Sequence, residues 1–221
     1  MATTNSTVVS FPAASERSSS RELAEIVIGF AAIMAVLWLP TREQLIIGPI
    51  VLLTPLALVL AQKPSRNALG LGIRGFVSSW WVLPASVGLM MLGIVVAREI
   101  GVYHPLYAPD FRHVAGYVVW TIYQQFLLQD YFVPRLTRLV SSDAAISIAA
   151  ILFAVAHLPN IPLMIATLVW GAVSCLLFRR YRSLWVLGLA QGMLGLCFAV
   201  CIPDVWLHHM RVGLGYFHYG G

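Results

Sequence analysis

The feature that most restricts the fold of this chain is a series of apolar runs, each near the length that a helix needs to cross a bilayer. A transmembrane helix takes about 20 predominantly apolar residues. Seven such runs follow one another here, separated by short polar links: residues 24–40, 45–62, 76–97, 116–139, 144–158, 161–179 and 184–202. The pattern predicts an all-α fold, a polytopic transmembrane helical bundle of about seven spans.

Composition excludes a soluble globular domain as the main structure. Hydrophobic residues make up 59% of the 221 residues and charged residues only 10%, whereas soluble domains carry about 25% charged residues. The mean hydropathy is +0.82. Because so few charged side chains are available to cover a water-exposed surface, we expect lipid to be the main solvent.

The basic residues favour one side of the predicted membrane. The net charge of +5 comes from 14 Lys and Arg against 9 Asp and Glu. With the N-terminus inside, ten basic residues lie in inner segments, and the outer segments hold the other four: Arg42, Arg98, Arg112 and Arg211. Cytoplasmic loops of membrane proteins carry such an excess. We therefore expect the N-terminus inside a bacterial inner (cytoplasmic) membrane, and no nucleic-acid partner.

The remaining composition divides the chain into three parts. Residues 1–20 are rich in Ser, Thr and Ala and predict a disordered tail, residues 21–202 form the transmembrane domain, and residues 203–221 predict an interfacial C-terminal tail. All three cysteines lie within apolar runs, where packing is their expected role: Cys175, Cys197 and Cys201. The sequence predicts neither a metal site nor a bound cofactor.

Polar side chains inside the predicted spans mark a candidate site. Gln124, Gln125 and Gln129 lie in the fourth run, His157 ends the fifth, and Gln191 lies in the seventh. Because Gln125 and Gln129 are four residues apart, they share one helix face. Such residues often serve as hydrogen-bonding contacts between membrane helices. Three spans that all supply polar groups also favour a polar pocket.

The order and spacing of these residues resemble the CPBP family of intramembrane proteins, also called Abi or type II CAAX prenyl endopeptidase-like. That family carries Glu-Glu-x-x-x-Arg, then Phe-x-x-x-His, then a His followed four residues later by Asn. Gln124-Gln125-x-x-x-Gln129 takes the place of the first motif, and Phe153-x-x-x-His157 matches the second. Gln191 and Gly195 stand where the later His and Asn would be, so the resemblance covers about residues 75–202.

The resemblance implies endopeptidase cleavage of lipid-modified or membrane peptides, with the glutamates activating water and His and Asn stabilising the oxyanion. The resemblance implies that the family's catalytic positions correspond to Gln124, Gln125, Gln129, His157 and Gln191. Glutamine cannot act as a general base, so hydrolysis is expected to be impaired here. Asp130 is the nearest carboxylate, but it lies about 140° around the helix from Gln125 and is expected to face elsewhere.

Three functions stay open from the sequence. The first is the family's peptidase activity, which the Gln substitutions oppose. The second is a non-catalytic protein that binds membrane lipid, a lipid-modified peptide or a membrane-protein partner. The third is a membrane enzyme acting on an isoprenoid or other apolar substrate, with aromatic residues such as Tyr123, Phe126, Tyr131 and Trp170 at the pocket wall.

Overall fold

A computed structural model of the chain describes residues 16–106 and 110–218, and every regular element in these two segments is helical. In chain order the elements are α1 Glu16–Leu37, α2 Thr41–Ala61, α3 Ile73–Ser79, α4 Val82–Glu99, α5 Phe111–Phe126, a π-helical segment Leu127–Phe132, α6 Val133–Thr137, α7 Ser142–Val155, α8 Ile161–Tyr181, α9 Leu184–Cys201, α10 Asp204–Leu207, a 3-10 turn His208–Met210 and α11 Leu214–Phe217.

Within the described residues, four helices are long and apolar enough to cross a membrane: α2, α4, α8 and α9. The prediction of an all-helical, polytopic membrane protein is therefore confirmed, while the count of seven spans rests on the sequence. α7 is apolar but has only 14 residues. α5, the π-helical segment and α6 follow one another without a break from Phe111 to Thr137, where the sequence predicts a single span.

Two predicted boundaries differ from the structure. α1 begins at Glu16, so residues 16–20 are helical, although the sequence assigned them to a disordered tail; residues 1–15 of that tail lie outside the described segments. The predicted run 76–97 is divided between α3 and α4, with Trp80 and Trp81 at the junction. Hydropathy does not detect this break because the run 76–97 contains no charged residue to interrupt it.

Short polar side chains define where the functional helices begin. Asp110 accepts hydrogen bonds from the backbone N–H groups of Arg112 (3.0 Å) and His113 (3.2 Å) at the start of α5. Asn160 accepts one from Leu163 N (3.2 Å) at the start of α8. These caps satisfy N–H groups that have no partner within the helix. They set the positions at which the two helices enter the bundle.

α9 lies at the centre of the packing. It contacts α4 on one side and α5 on another, while α7 packs against α8 and α1 against α2. Large apolar side chains cover the outer surfaces of α2 and α4, as expected where lipid is the solvent: Leu45, Ile46, Ile50, Leu53, Leu89, Met91 and Leu92. The central position of α9 brings Gln191 among helices that come from distant parts of the sequence.

The C-terminal segment, residues 203–218, folds back onto the bundle as short helical turns. Asn160 Nδ2 donates to the backbone carbonyls of Leu207 (2.7 Å) and Arg211 (3.1 Å). Gly213 N donates to the Leu158 carbonyl at 2.7 Å. These bonds hold the segment against the turn that joins α7 to α8, beside the candidate site.

Replacing Gly188 by Ala is expected to lower the free energy of unfolding by about 1–3 kcal/mol, because an added methyl group overpacks the contact between α9 and α5. A Cβ at this position would lie 2.5 Å from Ile122 Cγ1 and 2.7 Å from Ile122 Cα. Gly88 in α4 has nothing within 4 Å of the same built atom. Gly88→Ala is therefore the matched control, and thermal unfolding in detergent should separate the two variants. Equal stability would contradict the close approach.

Candidate functional site

Gln191 connects the two helices that carry the predicted site. Its Oε1 accepts hydrogen bonds from Gln125 Nε2 at 2.6 Å and from Trp170 Nε1 at 3.1 Å. Its Nε2 donates to Gln124 Oε1 at 2.6 Å. The structure therefore brings together Gln124, Gln125 and Gln191 and adds Trp170 from α8.

Trp170 fixes the direction of every hydrogen bond in this group. The indole N–H is a donor only, so the atom of Gln191 facing it has to be the carbonyl oxygen. Gln125 must then donate to that same oxygen, and Gln124 must accept from the Gln191 amide nitrogen. Position 125 thus requires a hydrogen-bond donor, whereas position 124 requires an acceptor.

The hydrogen-bond network formed by Gln124, Gln125, Gln191 and Trp170 extends from Gln125 to Gln129. Gln129 Nε2 donates to Gln125 Oε1 at 3.1 Å and to Ser174 Oγ at 3.3 Å. Gln125 and Gln129 are almost fully buried, with 0% and 1% of their surface exposed. Both lie behind the wall of the site, and their amides link α5 and the π-helical segment to α8.

The π-helical segment is a local feature that the sequence did not predict. It begins two residues after Gln125, contains Gln129, and all six of its residues are buried. Such insertions occur frequently at functional sites. It also contains Asp130, which is buried but does not border the cavity described below. This agrees with the expectation that Asp130 faces away from the site.

His157 lies in the turn after α7 and is 8% exposed. Its Nδ1 lies 2.7 Å from the carbonyl oxygen of Phe153, four residues earlier. Because a carbonyl oxygen only accepts, Nδ1 carries a hydrogen, and Nε2 of the neutral ring is then a hydrogen-bond acceptor. Phe153 also packs edge-on against the imidazole at a centroid distance of 5.0 Å. The Phe-x-x-x-His motif therefore orients the ring through both a hydrogen bond and an aromatic contact.

A cavity of about 970 Å³ is lined by residues of α1, α2, α4, α5, α7, α8, α9 and the π-helical segment. Gln124, His157 and Gln191 border it, together with Trp120 and Trp170. Most of the remaining wall consists of Leu, Val, Ile, Ala and Phe side chains. Of the residues predicted for the site, three reach this cavity, and Gln125 and Gln129 support it from behind.

Tyr117 occupies the space that a side chain at position 195 would need. A Cβ built on Gly195 would collide with the Tyr117 hydroxyl, and both residues border the cavity. The family pattern has Asn at this position. The Tyr117 ring therefore fills the space beside Gly195. An oxyanion-stabilising side chain at position 195 would not fit without a shift of that ring.

Asn160 and the aromatic residues have roles that spacing alone did not define. Asn160 is fully buried and holds the C-terminal segment, so it stabilises the wall of the site. Trp170 lines the cavity, whereas Phe126 and Tyr131 belong to the hydrophobic core. Tyr123 Oη donates to the Leu52 carbonyl. The sequence could not distinguish these positions because aromatic residues in apolar spans give the same pattern in both environments.

Cys175 interacts with Gln129, and Cys197 and Cys201 border the cavity. The described cysteines are free thiols, and the sulfurs of Cys197 and Cys201 are 3.6 Å apart. Asp204 Oδ2 lies 2.6 Å from His209 Nδ1. Within residues 16–106 and 110–218, no three His, Cys, Asp or Glu side chains are arranged to hold a metal ion.

Fold and site together define a class: an integral membrane protein of helical architecture, with a buried polar group opening onto an apolar cavity. Residues 111–197 match the family model described as type II CAAX prenyl endopeptidase Rce1-like. This match confirms the resemblance to the CPBP family: over these residues, less than half of the chain, the protein is similar to type II CAAX prenyl endopeptidases. Comparisons with curated proteins and with solved structures find no match. The matched range contains all five predicted site residues and Trp170.

Proposed function

We propose that this protein is a CAAX-protease-like membrane protein that binds an apolar ligand in its cavity and does not hydrolyse peptides. The observation that carries the proposal is the chemistry of the cavity wall. Among the described residues that line it there is no Asp or Glu, so a water there has no carboxylate to accept its proton. General-base assistance is worth about 10²–10⁴-fold in rate, and the wall offers amides and one imidazole instead.

The hydrogen bonds among the glutamines also support binding rather than hydrolysis. Gln191 uses both its oxygen and its nitrogen within the network. Position 125 is a donor with no access to the cavity, so it cannot orient an attacking water. The site departs from the family at several positions that contact one another, which is the pattern expected if the pocket is kept and the chemistry is lost.

The proposed arrangement in the membrane follows the charge distribution. We propose seven crossings with the N-terminus inside, in a bacterial inner membrane, and with the C-terminal segment at the outer interface. The excess of Lys and Arg in the inner segments supports this orientation. The unbroken helical path from Phe111 to Thr137, about 40 Å long at 1.5 Å per residue, is sufficient for one crossing.

The direct test is a cleavage assay. We expect the purified protein to leave prenylated and membrane-spanning peptides intact when the products are analysed by mass spectrometry. Gln124→Glu places a carboxylate at the cavity wall in a position that the network accepts, so this variant is the one expected to gain any cleavage. Cleavage by the natural sequence that disappears in His157→Ala would overturn the proposal and establish a peptidase.

Replacing His157 by Ala is expected to reduce ligand retention, while replacing Gln62 by Ala is not. His157 is buried at the cavity wall, whereas Gln62 is exposed at the end of α2 and bonds only its own helix, through Leu58 O at 3.3 Å. The measurement is the amount of lipid that copurifies with each variant, by native mass spectrometry. Equal retention in both variants would contradict a functional pocket.

A second candidate is a membrane enzyme that acts on an isoprenoid or another apolar substrate in the same cavity. Trp120 and Trp170 at the wall favour it, since aromatic faces stabilise cationic groups. A non-catalytic protein could bind a lipid-modified peptide or a membrane-protein partner at the same cavity. Incubating the protein with the copurified lipid and analysing it for chemical change separates the enzyme from the binding protein.

A further inference from the structure

The cavity wall has unused hydrogen-bonding capacity of a definite kind. Gln124 Oε1 is occupied by Gln191, but its Nε2 has no hydrogen-bond partner in the described part of the chain. His157 Nδ1 is occupied by the Phe153 carbonyl, which leaves Nε2 as an acceptor. The wall therefore offers the Gln124 amide as a donor and the His157 imidazole as an acceptor, alongside the second N–H of Gln191 and the indole N–H of Trp120. The Tyr117 hydroxyl, which also borders the cavity, can act as either.

Charge is the second constraint on the ligand. No Lys, Arg, Asp or Glu is among the described residues that line the cavity, so a phosphate, a diphosphate or a carboxylate would lack a counter-charge there. Burying such a group without a partner is strongly unfavourable. The volume of about 970 Å³ is at the upper end of the range for pockets that bury a single small ligand.

We propose that the cavity binds an uncharged single-chain lipid alcohol, with the hydroxyl group at Gln124 and His157 and the chain along the apolar wall. A hydroxyl both donates, as His157 Nε2 requires, and accepts, as Gln124 Nε2 requires, and both residues border the same cavity. The proposal rests on the proposed function, because it names the ligand class of the same site. The CAAX-type match implies a lipid-modified peptide, whereas these residues select a free neutral alcohol.

Three probes with one hydrocarbon chain test the headgroup: geranylgeraniol, its methyl ether and geranylgeranyl diphosphate. Binding to delipidated full-length protein in detergent is followed by tryptophan fluorescence, since Trp120 and Trp170 border the cavity. We expect the ether, which cannot donate, to bind about tenfold more weakly than the alcohol. The diphosphate should bind about a hundredfold more weakly or worse.

Gln124→Leu should weaken binding of the alcohol by about tenfold, and the exposed Gln62→Leu should leave it unchanged. Because the probe series uses the natural sequence, the test does not depend on the folding of the variants. Equal affinity for all three probes, or tighter binding of the diphosphate, would overturn the alcohol assignment and leave the proposed apolar pocket standing. Failure of every probe, with a protein that still shows a cooperative thermal transition, would overturn both.

Discussion

Replacing Gln125 by Glu is expected to destabilise the protein by about 3–5 kcal/mol, whereas the same change at the neighbouring Gln124 should cost much less. Gln125 is fully buried and donates to Gln191 Oε1, so a carboxylate there would place two acceptors 2.6 Å apart. Gln191 cannot turn its amide to compensate, because Trp170 needs the same oxygen. Gln124 already accepts from Gln191, and a carboxylate accepts equally well.

Thermal or denaturant unfolding in detergent measures this difference, with Gln124→Glu as the matched control. A second substitution sharpens the test. In a Gln125→Glu, Gln191→His double variant, a neutral imidazole donates to the carboxylate through one nitrogen and accepts from Trp170 through the other. We therefore expect the double variant to recover much of the lost stability. Similar losses for both single Glu variants, or no recovery in the double variant, would contradict the direction assigned to the network.

Replacing Glu25 by Gln is expected to produce a comparable loss at a second buried polar contact, the ion pair between Arg135 and Glu25. Arg135 is 1% exposed, and its Nε donates to Glu25 Oε2 at 2.7 Å while its guanidinium lies 3.9 Å from the centre of the Tyr131 ring. Removing the carboxylate leaves a buried cation without its counter-charge, which typically costs about 3–5 kcal/mol. The change keeps the size of the side chain, so the loss reports charge rather than packing.

The matched control for the Glu25–Arg135 ion pair is an exposed ion pair, Asp143–Arg179. Arg179 Nη1 lies 2.7 Å from Asp143 Oδ1, but both side chains are more than half exposed. Ion pairs in water contribute little, so Asp143→Asn should leave the unfolding temperature nearly unchanged. Equal effects of Glu25→Gln and Asp143→Asn would show that α1 is not held to α6 through Arg135.

The sequence predicted the class of fold, and it selected candidate site residues, for a physical reason. Lipid requires long apolar helices, so hydropathy alone indicates a polytopic bundle. Polar side chains are costly within such helices, so those that occur are few and noticeable. Gln124, His157 and Gln191 could be selected from sequence on this basis, and the structure places all three at one cavity.

The tertiary structure decided which of these residues line the cavity and which are buried behind it. The sequence assigned both Gln124 and Gln125 to the candidate site, but Gln124 reaches the cavity and Gln125 is buried behind it. Trp170 determines the direction of the amide network from a different helix, and no spacing rule connects it to Gln191. The C-terminal segment, expected at the interface, contributes Met210 and Val212 to the cavity wall.

What the sequence by itself determined was therefore the solvent of the protein, its helical class and which side chains are chemically unusual in that setting. These depend on local composition, which every window of the chain displays. What only the tertiary structure decided was which side of each polar group faces a partner and which faces the cavity. That depends on contacts between helices far apart in the chain, such as Gln191 with Gln125, and on the break in helical period that the π-helical segment introduces.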